Sequence, residues 1–203
     1  MAARGPYAKG VAKRAEILDA ALAVIDEHGY TGATVKELAD AVGLSQNGLL
    51  HYFGSKDALF LEIVRHHLDL VQVRIGLGHV DLLSDFTDRV VRAAADNIDR
   101  PGMSRLILNL AASASEESHL AHDYLLAMYA GTREITESLL TELQSRGRFP
   151  ADGDPAAAAA LLSASLDGLQ LQWLYDDTVD VQGHLRYLLR ALGIHGDESQ
   201  EPS

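Results

Sequence analysis

The chain has 203 residues, 47% of them hydrophobic, which is enough for one large domain or for a small domain joined to a larger one and excludes wholesale disorder. Cysteine is absent, so disulfide frameworks, zinc-thiolate sites and thiol nucleophiles are excluded as well. The net charge of -12 argues against a protein that coats nucleic acid, but it is unevenly spread: residues 1–56 are neutral, with Arg4, Lys9, Lys13 and Arg14 near the start, and the remainder carries the whole deficit. A neutral head with a basic beginning, on an acidic body, fits a localised nucleic-acid footprint.

Helical periodicity runs along nearly the whole chain, so the expected fold class is all-α. A first helix over about 11–28 has Leu18, Ala21, Leu22 and Ile25 on one face and stops at Gly29, after a flexible arm over 1–10. Thr34-Val-Lys-Glu37 reads as a capping box opening a second helix, in which Val35, Leu38, Ala39 and Val42 are apolar. Gly43 ends it, and Ser45 is placed to cap a short third helix reaching about Phe53, the better core candidate of the pair Tyr52 and Phe53.

Beyond Gly54, Ser55 caps a long fourth helix over 55–75, ending near Gly76 and Gly78 and serving as a connector whose Ile63, Val64, His67 and Leu68 face the helix at 103–116. Further helices are expected at about 81–99, 103–116, 119–146, 155–176 and 180–192, with Pro101-Gly102, the 147–155 stretch and Gly193 as breaks. The polar tail 196–203 is expected to be disordered. No stretch approaches the roughly 20 apolar residues of a membrane span, and the basic start lacks a secretion signal's apolar core, so a cytoplasmic protein with no membrane partner is expected.

Function concentrates between Thr34 and Phe60. Two short helices joined by a Gly-containing turn have the layout of a DNA-reading helix-turn-helix, with small Ala39 at the crossing and Leu44 and Leu49 fixing the angle. Those residues alone fit an ordinary αα-hairpin equally well. His119-x-x-His122-Asp123 offers metal-ligand types without a third ligand fixed by spacing, and no hydrolase elbow, Walker loop or dinucleotide turn is present. Neither a metal, a cofactor nor catalysis is therefore expected.

The segment 12–60 resembles the N-terminal domain of the TetR family of bacterial transcriptional regulators, through His28-Gly29-Tyr30, Thr34-Val35, Leu38-Ala39, Val42-Gly43-Leu44-Ser45, His51-Tyr52-Phe53 and Ser55-Lys56-Asp57-Ala58-Leu59. The resemblance implies a helix-turn-helix domain over 1–54 and a helical ligand-binding and dimerisation domain over 55–195. It implies a homodimeric repressor that binds double-stranded DNA at a palindromic operator and is released by a small-molecule effector. Ser45, Gln46, Asn47 and Gly48 would open the recognition helix, with Gln46 and Asn47 suited to base edges. His51 and Tyr52 match DNA-facing positions, Lys56 a phosphate-contacting one, and Thr34 and Lys36 backbone contacts, with Arg4, Lys9, Lys13 and Arg14 reaching phosphates or the minor groove. Leu50 stands where many members have tyrosine.

In the C-terminal part, Phe86, Met103, Asn109, Tyr124, Met128, Gln170 and Trp173 are the candidate lining of an effector site. The helices at 155–176 and 180–192 look like the family's dimer pair, and Leu162, Leu166, Leu169, Leu185, Leu188 and Leu189 are the candidate interface, because their apolar surface exceeds one core-facing stripe. An alternative is a helical ligand-binding or scaffold protein that binds no operator.

Overall fold

A computed structural model describes residues 6–74 and 86–194 of the protein, so the tail 196–203, the glycines at 76 and 78 and the first five residues of the expected arm lie outside the described residues. Among the described residues the elements are α1 (Pro6–Gly32), α2 (Val35–Ala41), α3 (Gln46–Phe53), α4 (Lys56–Arg74), α5 (Phe86–Ile98), α6 (Pro101–Ser113), α7 (His122–Ser145), α8 (Pro155–Tyr175) and α9 (Val181–Ala191), with no strand. Each expected helix is present, and three of the expected starts are fixed by side-chain caps. Thr34 accepts from the Glu37 N–H while Glu37 accepts from the Thr34 N–H at 2.9 Å, the Ser45 hydroxyl accepts from the Gly48 N–H at 3.0 Å, and that of Ser55 from the Ala58 N–H at 3.1 Å. Helix α1 starts earlier than expected: residues 6–10 are helical, which corrects that part of the arm, and the regular path breaks at Gly29.

The chain forms two compact units, Met1–Leu70 with Arg100–His122, and Val71–Asp99 with Asp123–Ser203. This division differs from a boundary at residues 54 and 55. Most of α4 belongs to the first unit because Leu59, Phe60, Ile63 and Val64 are buried, and α6 belongs there because it packs closely on α1. That packing needs a glycine: a Cβ on Gly102 would overlap the Ile25 carbonyl oxygen and sit 3.2 Å from Gly29 Cα. Arg100 adds an ion pair to Asp26 at 3.4 Å.

The second unit has its own core of Phe86, Val91, Leu140, Leu143, Leu162, Leu185 and Leu189, with α9 packed on both α5 and α8. Asp154 caps α8 from two N–H groups, Pro155 occupies the first turn, and Asp180 caps α9. Gln144 donates to the carbonyls of Pro150 and Gly153, satisfying the loop between α7 and α8.

Glu37 links this architecture to pH. The N–H and hydroxyl of Thr34 donate to its carboxylate and hold its pKa below the ordinary 4.5. A depressed folded pKa contributes stability above 4.5 that is lost as pH falls through the folded value. Glu37→Gln should therefore lower the urea midpoint at neutral pH, with the gap to the unmodified protein closing below pH 4.5. A pH-independent gap would refute the assignment.

Candidate DNA interface

The first unit presents α3 by burying one side of it. Leu49 is fully buried and Phe53 nearly so, α3 packs on α2, and Gly43, with φ 67°, takes the left-handed conformation that the reversal between the two helices requires. The opposite side is open: Gln46, Asn47 and His51 are exposed, and Tyr52 is half-buried with its ring edge-on to His51 at 6.4 Å. Ser45 and Gly48 form the capped first turn, where a Cβ at residue 48 would come within 3.1 Å of the Ser45 hydroxyl. Leu50 is half-buried, at the edge of the open side.

Lys36 and Lys56 are exposed, Lys56 with its ammonium 5.7 Å from the centre of the Phe60 ring. The Thr34 hydroxyl is committed to its cap, donating to Glu37 at 2.8 Å. These positions, with Gln46, Asn47 and His51, supply amide donors and acceptors, an imidazole and two ammonium groups, which suits base edges and phosphates.

The N-terminal cations behave differently from a free arm. Arg4 lies outside the described residues, as does the side chain of Lys9, and Lys13 pairs with Glu16 at 2.7 Å. Arg14 turns inward: it donates to the Tyr52 carbonyl at 2.6 Å and to Glu62 at 3.1 Å, with its guanidinium 4.7 Å from the centre of the Phe53 ring. Arg14, expected among the arm's contacts to phosphates or the minor groove, is tied within the first unit through two of its five donors and keeps 40% of its side chain exposed. Sequence spacing held no signal for partners 38 and 48 residues away.

The expected effector residues are split between units. Met103 is buried in the first unit, and Asn109, also there, is exposed and donates to the Arg105 carbonyl of its own helix. In the second unit Phe86 belongs to the core and Trp173 packs against it, while Tyr124 and Met128 are half-buried. Gln170 is 4% exposed; its carbonyl accepts from Asn97 at 3.3 Å while its N–H₂ has no partner among the described residues. One turn away on α8, Asp167 accepts from the Tyr129 hydroxyl of α7, a pairing that no sequence spacing indicates. Burial raises the Asp167 pKa above the usual range, partly offset by that hydrogen bond, and burial beside Asp167 raises that of Tyr129.

The leucines expected at a dimer interface also contribute to the chain's own core. Leu162, Leu185 and Leu189 are buried, and Leu166, Leu169 and Leu188 pack against them. The apolar groups left outside on α8 and α9 are Leu161, Leu171, Tyr175 and Tyr187. His119 and His122 each turn Nδ1 to the backbone, to Ala121 N and Ala114 O respectively.

Comparison with known proteins accounts for both halves. Residues 17–63 match the family described as bacterial regulatory proteins of the tetR family, and residues 86–193 match the BetI-type transcriptional repressor C-terminal family. The chain is similar to the HTH-type transcriptional regulator BetI of Burkholderia ambifaria, 30% identical over 79% of this chain and 81% of that one. Similarity to the HTH-type transcriptional repressor AcnR of Corynebacterium efficiens reaches 47% but covers 28% of this chain and 30% of that one. Among solved structures, a transcriptional regulator from Saccharomonospora viridis in complex with choline superposes with a TM-score of 0.66 at 26% identity, covering 89% of this chain and 95% of that one. The open face of α3, the capped helix-turn-helix and these matches over both halves place the chain in the TetR family of DNA-binding transcriptional regulators, with a C-terminal part of the BetI type.

Proposed function

We propose that the protein is a cytoplasmic homodimeric repressor that reads a palindromic operator through α3 and is released when a small organic cation occupies its second unit. The observation that carries the DNA reading is the two-sided α3, with Leu49 fully buried and Gln46, Asn47 and His51 outward. Its activity is then binding rather than catalysis. Nuclease footprinting on DNA flanking its own gene tests it directly, and no protected site would leave the scaffold alternative. Once a site is found, Gln46→Ala or Asn47→Ala should relax preference at particular positions at a cost of about 1–3 kcal/mol. Lys56→Ala should weaken all sequences alike and lower the salt slope by about one. Uniform loss in the first two would refute the base-reading role.

A second copy is the proposed partner of α8 and α9. Ala157, Leu161, Ala164, Leu171 and Tyr175 recur at helical spacing on the outward side of α8, an apolar stripe that a soluble monomer rarely leaves uncovered.

The effector reading rests on α8 and α7. Asp167 and Gln170, three residues apart, share a helix face, and the carboxylate is short of water while one end of the Gln170 amide lacks a partner. A cation bearing an oxygen acceptor would satisfy both, with the Tyr129 ring adding cation–π attraction. The choline carried by the Saccharomonospora viridis relative has that chemistry and is the probe of choice. Choline should weaken operator binding, the neutral isostere 3,3-dimethylbutan-1-ol should not, and Asp167→Asn should abolish the response. Because the folded Asp167 pKa is raised, choline should bind more tightly as pH rises and the carboxylate ionises. Equal responses to choline and its isostere would refute a cation site.

A further inference from the structure

Arg14 is the point at which three helices of the first unit meet. Its Nη1 donates to the carbonyl of Tyr52 at 2.6 Å, in the last turn of α3, where backbone carbonyls lack partners within the helix and the macrodipole is negative. Its Nη2 donates to Glu62 of α4 at 3.1 Å, and Glu62 also accepts from Arg65 on its other oxygen. The guanidinium carbon lies 4.7 Å from the centre of the ring of Phe53, the residue that ends α3. One turn farther along α4, His66 and Asp19 of α1 meet at 2.7 Å, so α1 grips α4 at two successive turns.

The outward side chains of α3 depend on where the ends of that helix sit. The helix is only 8 residues long; its start is fixed by the Ser45 cap and its end is held by Arg14. We infer that Arg14 is the positioning residue that sets the angle of the recognition helix, locking its C-terminal end to α1 and α4 rather than touching DNA itself. The inference rests on the reading of α3 as the base-reading helix. It predicts a loss of discrimination, since a change in the tilt of α3 re-aims the base-reading groups of its first turn, whereas phosphate contacts carry no sequence information.

The two possible roles separate in a salt series. Arg14→Ala, Arg14→Lys and Glu62→Gln are each titrated with operator and with scrambled DNA, alongside Gln46→Ala, with folding followed by thermal unfolding. Arg14→Ala should lower operator affinity about tenfold, the scale of one mismatched base pair, with scrambled-DNA affinity and the salt slope unchanged. Arg14→Lys, which keeps the charge but not the two-pronged geometry, should show a smaller loss with the same unchanged slope. Should Arg14→Ala fail to fold, Arg14→Lys and Glu62→Gln carry the same expectation. A slope lowered by about one, with operator and scrambled DNA weakened alike, would make Arg14 a phosphate contact and overturn the inference. Unchanged discrimination in all the folded variants would overturn it too. If Gln46→Ala leaves base preference untouched, the reading of α3 itself fails and takes this inference with it.

Discussion

Replacing Gly102 by alanine should destabilise the first unit by about 1–3 kcal/mol, the usual range for an inserted methyl group that well-packed surroundings cannot absorb, and the collision here favours the upper end. The methyl would overlap the Ile25 carbonyl oxygen, a backbone atom in the middle of α1 that no rotamer change can move. Relief requires α6 to back away from α1, which weakens the Arg100–Asp26 pair and uncovers Met103 and Leu106, both nearly fully buried. Urea unfolding followed by helical circular dichroism measures the loss. A midpoint equal to that of the unmodified protein would mean that the seam between α1 and α6 is looser than the structure shows.

A larger effect is expected on operator binding from charging the outward stripe of α8. Leu161→Glu combined with Leu171→Glu places carboxylates where two copies are proposed to meet, while the buried Leu162, Leu185 and Leu189 remain in the core. Both positions are about half exposed, at 51% and 46%, so the fold should tolerate the change. Sedimentation should show a monomer, and operator affinity should fall by about 10²–10⁴-fold, because two half-sites are no longer engaged by one linked pair of reading domains. A dimer that persists in the double variant would move the interface elsewhere.

Much of the reading surface is legible in the sequence because its determinants are local. Thr34 with Glu37, Ser45 with Gly48, and the turn at Gly43 act over three residues or fewer, and Leu49 and Phe53 follow helical periodicity. What the sequence conceals depends on tertiary contact. Arg14 belongs to a cluster of basic residues that resembles a phosphate-seeking arm, and only the folded chain brings Tyr52 and Glu62 to it. Helix α8 is apolar on most of its circumference, which does not say which leucines face the chain's own core; Leu162 is buried there, with Leu166 and Leu169 partly buried against it. Asp167 and Tyr129 are separated by 38 positions and carry no spacing signal, whereas an acid within an otherwise apolar helix turn was the available hint.

The placement of α6 bears on how such regulators exchange parts. The BetI-type match begins at residue 86 and includes α6, yet α6 folds with the helix-turn-helix rather than with the other C-terminal helices. Inherited segment and folding unit are thus cut at different places. A hybrid joined in the 75–85 stretch, natural or engineered, would bring in a foreign α6 to lie against this α1, and any side chain at the position of Gly102 would strike the Ile25 carbonyl. Successful recombination should therefore carry α1 and α6 from the same parent, so that the reading head is inherited as two separated stretches of sequence with the 75–85 stretch and α5 free to vary between them.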